Sequence, residues 1–457
     1  MKKRHNPLLV HVVFGFLLSI GCNNDQNKGK VQLAVIGENS STLSAMMALE
    51  KEYEQQENSI DVKYFPSSFD DALEKSSQDL SSGKGQYDII LQYNFTLSPS
   101  VRNNYVYDIS ELTNGVSKEK MKFEADIFPN LWQETGYYYK NDLDPSAGTK
   151  MVSYPYLGIS MVLMYNKTLF NDRANREAYQ NKFGKSLAVP SSWDDYLQVA
   201  EFFTNKEKGT YGVCIEGQAG PLLISEWTNY LYGFNGKYLD KNIGWKGTEQ
   251  TKLLINSPEA INALTYYKKL KPFNSGGYSG IGQPEQMQIM MQGKTAMAIV
   301  WTDMLYSTLK TKDGFVTDYG FAPVPGGKSI ACGGAYFINR KSKYPQKAAE
   351  FIINQLQPSN QVKLARLGLC SPLKSAYSDS IVQNIPYTKA LFQSLQRGGA
   401  ALEAGPDADL ITNTVSTYIQ KVWNDEFTPS DGLSRAQREL TAARSRRFED
   451  LKIAAKK

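Results

Sequence analysis

Val31-Gln32-Leu33-Ala34-Val35-Ile36 and Tyr87-Asp88-Ile89-Ile90-Leu91 bracket the stretch that decides the fold, because two periodicities alternate between them. The first run is rich in β-formers. Leu43, Met46, Met47 and Tyr53 then recur at helical spacing, Ile60 to Phe65 is extended again, and residues 69–80 read as a helix. The closing run is short and apolar, the kind that is buried in a parallel strand. Further on, Ser192-Trp193-Asp194-Asp195 has the Ser-x-x-Asp spacing of a helix start, and Trp193, Tyr196, Leu197, Ala200 and Phe203 share one helical face, which assigns Trp193 to packing. Ser257-Pro258-Glu259 opens another helix with proline where a missing N–H costs nothing, and Ala348, Phe351, Ile352 and Leu356 mark one more after Pro345. Strands alternating with helices predict α/β lobes with mainly parallel sheets, and 457 residues allow two to three domains.

Composition removes several function classes. The two histidines, His5 and His11, both lie in an amino-terminal segment that reads as a removable export signal: basic Lys2, Lys3 and Arg4, an apolar run from Leu8 to Ile20, and Gly21 directly before Cys22. The apolar run is shorter than the ~20 residues of a spanning helix. Residues 1–21 are therefore expected to be cleaved, leaving Cys22 as a lipidated amino terminus and residues 22–30 as a polar tether. Without histidine, Ser-His-Asp and Cys-His catalysis and His-ligated metal sites are excluded. The net charge of +5 resides in the leader and in the last 27 residues, so the body is near neutral and offers no basic field for nucleic acid. Arg444, Arg446 and Arg447 are expected on a solvated helix face.

Cys214, Cys332 and Cys370 show neither CxxC spacing nor a metal pattern, and both a disulfide and buried free thiols fit them. Gly276-Gly277-Tyr278-Ser279-Gly280-Ile281-Gly282 reads as a mobile loop and not a phosphate cradle, since no apolar strand precedes it and no Lys-Ser/Thr follows. Gly293-Lys294-Thr295 ends like a P-loop but has Gln288 where a glycine belongs. Neither cofactor nor metal is implied.

In open α/β sheets ligands sit beyond the carboxyl ends of strands, so the residues after each apolar run are the candidates. These are Glu38, Asn39 and Ser40; Gln92, Tyr93 and Asn94; and Trp301 and Asp303 after Ala298-Ile299-Val300. A second group, Glu216 and Gln218 with Trp227 and Tyr230, follows Tyr211-Gly212-Val213-Cys214-Ile215. Gly333-Gly334 would let backbone approach a ligand closely. Carboxylates, amides and aromatic faces suit a carbohydrate, whose hydroxyls take paired hydrogen bonds while its C–H faces pack on rings.

From Val31 to the C-terminal helix the chain resembles the family 1 extracellular solute-binding proteins of ABC importers, the group that includes maltose-binding protein. The resemblance rests on ordered motifs: Tyr87-Asp88-Ile89-Ile90-Leu91, Tyr105-Val106-Tyr107-Asp108-Ile109, Tyr154-Pro155-Tyr156 with Met161 to Lys167, Pro190-Ser191-Ser192-Trp193-Asp194-Asp195, Gly293-Lys294-Thr295-Ala296-Met297, and Gly333-Gly334 with Ser342-Lys343. It implies a two-lobed periplasmic-binding-protein-like fold with a hinge and a central cleft. One lobe would hold residues 31–153 plus 333–378, the other 154–332 plus 379–457. It further implies a monomer that delivers a small-molecule solute, a carbohydrate above all, to ABC permease subunits, and it brings Cys332 and Cys370 near the crossover as a disulfide pair. The chain departs from the maltose binders at Ile159, where they carry a carboxylate, so maltose is not implied. Two other readings are a cell-surface glycosidase using a pair such as Glu38, Glu216 or Asp303, and a surface lipoprotein that binds a protein partner.

Overall fold

The computed structural model describes residues 30–57, 59–93, 96, 98–240, 248–398 and 405–456. The leader, Cys22, the tether up to residue 29 and Asn94 lie outside the described residues. Eight strands form the central sheet: β1 (Val31–Glu38), β2 (Ile60–Ser67), β3 (Ile89–Tyr93), β4 (Ser153–Asn166), β5 (Tyr211–Cys214), β6 (Thr295–Trp301), β7 (Tyr319–Ala322) and β8 (Ala331–Ile338). Their order is β2-β1-β3-β8-β4-β6-β5, with β7 also paired to β4. The pairs β1–β2, β1–β3 and β5–β6 are parallel, whereas β8 and β4 run antiparallel to their neighbours.

This topology divides the molecule into two α/β lobes that share β4. At 14 residues it is more than twice the usual strand length, and all but Tyr165 are buried. Its first part, Ser153–Ser160, pairs with β8, and its second, from Met161 on, pairs with β6 and β7. The change of partner is held at Ser160. Its hydroxyl meets Ser329 Oγ at 2.7 Å and donates to the Ile330 carbonyl at 2.8 Å, and its own carbonyl accepts from Thr302 N at 3.2 Å. A strand with two sets of neighbours makes the link between lobes a continuous β-ladder, so relative motion of the lobes must bend that ladder.

Helices cover the sheet: α1 (Ser41–Ala48), α2 (Phe69–Ser82), α4 (Trp193–Phe203), α6 (Pro258–Lys269) and α7 (Pro345–Gln355) where the periodicities predict them, together with α3 (Pro129–Gly136), α5 (Pro221–Gly233), α8 (Ala408–Trp423) and α9 (Pro429–Ala455). Ser192 Oγ accepts from Asp195 N at 3.2 Å and Ser257 Oγ from Ala260 N at 3.2 Å, the N-caps their spacing called for. Trp193 packs its ring on Tyr230 at 4.5 Å and among Tyr196 and Tyr266.

Several expectations need correction. Tyr87 and Asp88 precede β3 instead of opening it, and the Asp88 carboxylate accepts from Ala34 N at 2.9 Å and Ser342 Oγ at 2.5 Å, pinning the strand's entry. Met47 is exposed, although Leu43, Met46 and Tyr53 are buried. Arg444 is not on a solvated face. It is 7% exposed, and its guanidinium donates to the Asp407 carboxylate and to the carbonyls of Thr248 and Thr251, tying α9 to two loops. Arg446 is exposed as expected, and Arg447 pairs with Asp409 at 2.9 Å. The glycine-rich stretch 276–282 is anchored at its centre, where buried Tyr278 stacks on Trp423 with ring centroids 4.0 Å apart.

The pairing of Cys332 with Cys370 is also overturned, since all three described cysteines are free and buried. Cys332 lies opposite Ile159 on one edge of β4. The Cys370 carbonyl accepts from Gly158 N on the other edge, so the strand runs between the two thiols. Two inter-strand spacings of about 4.8 Å exceed the reach of a disulfide. Among the described residues no group of His, Cys, Asp and Glu could hold a metal ion, and no helix is long and apolar enough to cross a membrane.

Candidate functional site

Parallel strands end on the same side of a sheet, and here two such sets of ends meet. In the first lobe β1 ends at Glu38 and β3 at Tyr93; in the second β6 ends at Trp301, followed by Thr302 and Asp303, and β5 runs through Ile215 to Glu216. Ser41 Oγ, on the first residue of α1, donates to the Asp303 carbonyl at 3.0 Å and ties the two edges together across 262 residues of chain. Tyr93 Oη donates to Glu38 Oε2 at 3.2 Å.

The electrostatics of this junction are one-sided. Burial raises the Glu38 carboxyl, with Asp70 adding to the effect and the Tyr93 hydroxyl opposing it. Asp303 is pushed up to about 7, first by burial and then by the charge of Glu38. Burial holds Glu216 well above the carboxylate range, reinforced by Glu226 and Asp303. Glu216 is fully buried and neither carboxyl oxygen has a hydrogen-bond partner; Asp303 Oδ1 lacks one too. Buried polar groups are paired in the great majority of cases, so these oxygens stand open to a hydrogen-bonding partner, and a carboxyl that keeps its proton can donate as well as accept. Rings complete the surroundings: Trp301 is 7% exposed, and Tyr156 lies in the electrostatic range of Glu38 and Asp303.

The structure thus brings together Glu38, Tyr93, Trp301 and Asp303, with Glu216 within the range of Asp303's charge. It places the other candidates differently. Asn39 is exposed, and Ser40 Oγ is spent capping α1 by accepting from Leu43 N at 3.3 Å. Gln92 is buried beneath Thr96, whose hydroxyl it accepts at 3.4 Å. Gln218 is exposed beside Gly282. Trp227 is fully buried in the second lobe, its ring 5.9 Å from that of Tyr238, although its Nε1 has no partner. The glycines of β8 admit this chain's own side chains: a Cβ on Gly333 would fall 2.1 Å from Thr135 Cγ2, and one on Gly334 would fall 2.4 Å from the Tyr156 ring. Tyr156, Ser41 and Glu226 escaped the sequence reading. Tyr156 had a signal in its place on the longest apolar run, but nothing local marks Ser41 or Glu226.

The family model for bacterial extracellular solute-binding proteins matches residues 37–362. No curated protein matches this chain. Several solved structures share the fold. The solute-binding protein of Agrobacterium radiobacter K84 in complex with ribitol is 22% identical, with a TM-score of 0.73 over 90% of this chain and 98% of its own. Maltose-bound MalE3 of T. maritima is 17% identical, with a TM-score of 0.71 over 90% of this chain and 99% of its own. The GacH receptor of Streptomyces glaucescens, solved unliganded and with acarbose, is 18% identical, with a TM-score of 0.72 over 92% and 99%. Matched over more than half its length by the family model and built on the same two-lobed fold, the chain belongs to the bacterial extracellular solute-binding proteins.

Proposed function

We propose that this chain captures a sugar or polyol between its lobes and, held to a membrane by lipid on Cys22, delivers it as a monomer to an ABC permease. The convergence of Glu38, Tyr93, Trp301 and Asp303 from separate strand ends of both lobes carries this reading. Open carboxyl oxygens exchange hydrogen bonds with hydroxyls, and the Trp301 indole at the end of β6 supplies apolar ring surface suited to C–H groups. The relatives solved with ribitol, maltose and acarbose support the solute class. The glycosidase reading is set aside, because the family binds solutes. We divide the lobes at residues 31–153 plus 333–378 and 154–332 plus 379–457; the partner change along β4 falls at Ser160–Met161, inside the second lobe of that division.

A thermal-shift screen of sugars and polyols tests the capture step. A ligand at a hundred times its Kd stabilises the folded state by about 2.7 kcal/mol, so a true solute raises the melting temperature clearly. Failure of every sugar and polyol at millimolar concentration rejects the solute class. For the anchor, metabolic labelling with a fatty acid should mark the wild type and not Cys22→Ser.

A further inference from the structure

The acids at the strand ends gather from separate strands with no cation among the ionisable groups around them, whereas the buried acids Asp79 and Asp88 have their oxygens taken up by backbone N–H, asparagine and serine groups of this chain. The ionisable groups that act on Glu38 are Asp70 and the Tyr93 hydroxyl; on Asp303, Glu38; on Glu216, Glu226 and Asp303. Among the described residues no lysine or arginine forms an ion pair with any of the three. Tyr93 Oη donates to Glu38 and the backbone N–H groups of Asp303 and Met304 act on the Asp303 carboxyl, while Glu216, fully buried, has two open oxygens and Asp303 has one. Hydroxyl groups can fill those acceptors but cannot balance the charge. Trp301 and Tyr93 end strands beside these acids, and aromatic rings favour a cation.

The geometry points to a polyhydroxylated solute that carries a basic nitrogen, with Asp303 and Glu38 as the residues that select it. This deepens the sugar-or-polyol reading and rests on it. An ammonium placed between Asp303 and Glu38 gains charge-assisted hydrogen bonds from both, whereas a phosphate or carboxylate there meets like charge in a dry setting. Sugar phosphates and sugar acids are therefore excluded.

Titration calorimetry at pH 7 on the purified full chain tests this with three matched sets, each differing in one functional group: sorbitol, 1-amino-1-deoxysorbitol and gluconate; glucose, glucosamine and glucuronate; cellobiose, glucosyl-β-1,4-glucosamine and glucuronosyl-β-1,4-glucose. In whichever set binds, the amine should exceed the neutral member by about 10-fold or more, the factor of one charged hydrogen bond, and the acid should not bind. Asp303→Asn and, as an independent variant, Glu38→Gln should each shrink that ratio. A neutral member that binds as tightly as its amine overturns the inference and leaves the sugar-or-polyol reading standing. A ratio that survives in both variants overturns the assignment to these two carboxyls. No binding in any set overturns both readings.

Discussion

Two of the places where the molecule shelters charge treat it in opposite ways. At the carboxy-terminal end, Arg444 sits under α9 with its guanidinium spent on the Asp407 carboxylate and two backbone carbonyls, leaving only Asp407 Oδ1 without a partner. At the strand ends, Asp303 and Glu216 are sheltered with no cation and with three carboxyl oxygens unpaired. The first arrangement is complete within the chain and serves the fold. The second is incomplete within the chain, which costs stability and is retained where a ligand can complete it.

The largest effect should come from breaking the complete pair. Arg444→Leu strands Asp407 in a buried setting and frees two carbonyls, and should destabilise the protein by about 3 to 5 kcal/mol in urea unfolding. A loss below about 1 kcal/mol would mean that the clamp is ornamental and that the contrast with the cleft fails.

Asp303→Asn should do the reverse. Because Asp303 is raised from 3.8 to about 7 in the folded state, the native protein holds a proton that the unfolded chain has lost between those values, and stability falls as pH rises through that window. The asparagine variant escapes this loss. It should match the wild type near pH 4 and exceed it by about 1 to 3 kcal/mol at pH 8. Equal stability at both pH values would show that the carboxyl is not sheltered.

Tyr93→Phe sharpens the comparison at a single bond. It removes the one hydrogen bond that Glu38 accepts, and should weaken solute binding by about 1 kcal/mol while changing stability little, as read by calorimetry and by melting temperature. A stability loss without an affinity loss would move Glu38 and Tyr93 to the structural side of the contrast. The smallest effect concerns the cysteines. Burial raises the thiols of Cys214 and Cys370 to about 12, and no described cysteine is bonded to another. A reductant should leave the melting temperature unchanged, and the denatured, unreduced Cys22→Ser variant should titrate three thiols.

Much of the scaffold could be read from the chain because the signals are local. Val31–Glu38, Ile60–Ser67 and Phe69–Ser82 form where the periodicities predict them, and Ser192 and Ser257 cap helices three residues ahead of the N–H groups they accept. The strand-end rule named Glu38, Tyr93, Trp301 and Asp303, which the fold brings together, for the same reason, since a strand's end is visible in its own run. It also named Ser40 and Gln92, because the rule cannot tell an open side chain from one already occupied by a cap or by Thr96.

By itself the sequence determined the fold class, many element types and the side of the sheet on which the candidate residues lie, all consequences of side-chain periodicity and of capping over a few residues. Only the tertiary structure decided which charges are neutralised and which are left open. Arg444 looks like one more exposed base until the 248–251 loop and Asp407 close over it, and Asp303 like one more surface acid until Ser41 and Glu38 are brought to it from the other lobe. The same holds for Cys332 and Cys370, which a single strand passing between them keeps apart. Burial and pairing are properties of neighbours hundreds of residues away, and those neighbours are chosen by how β4 joins the two lobes.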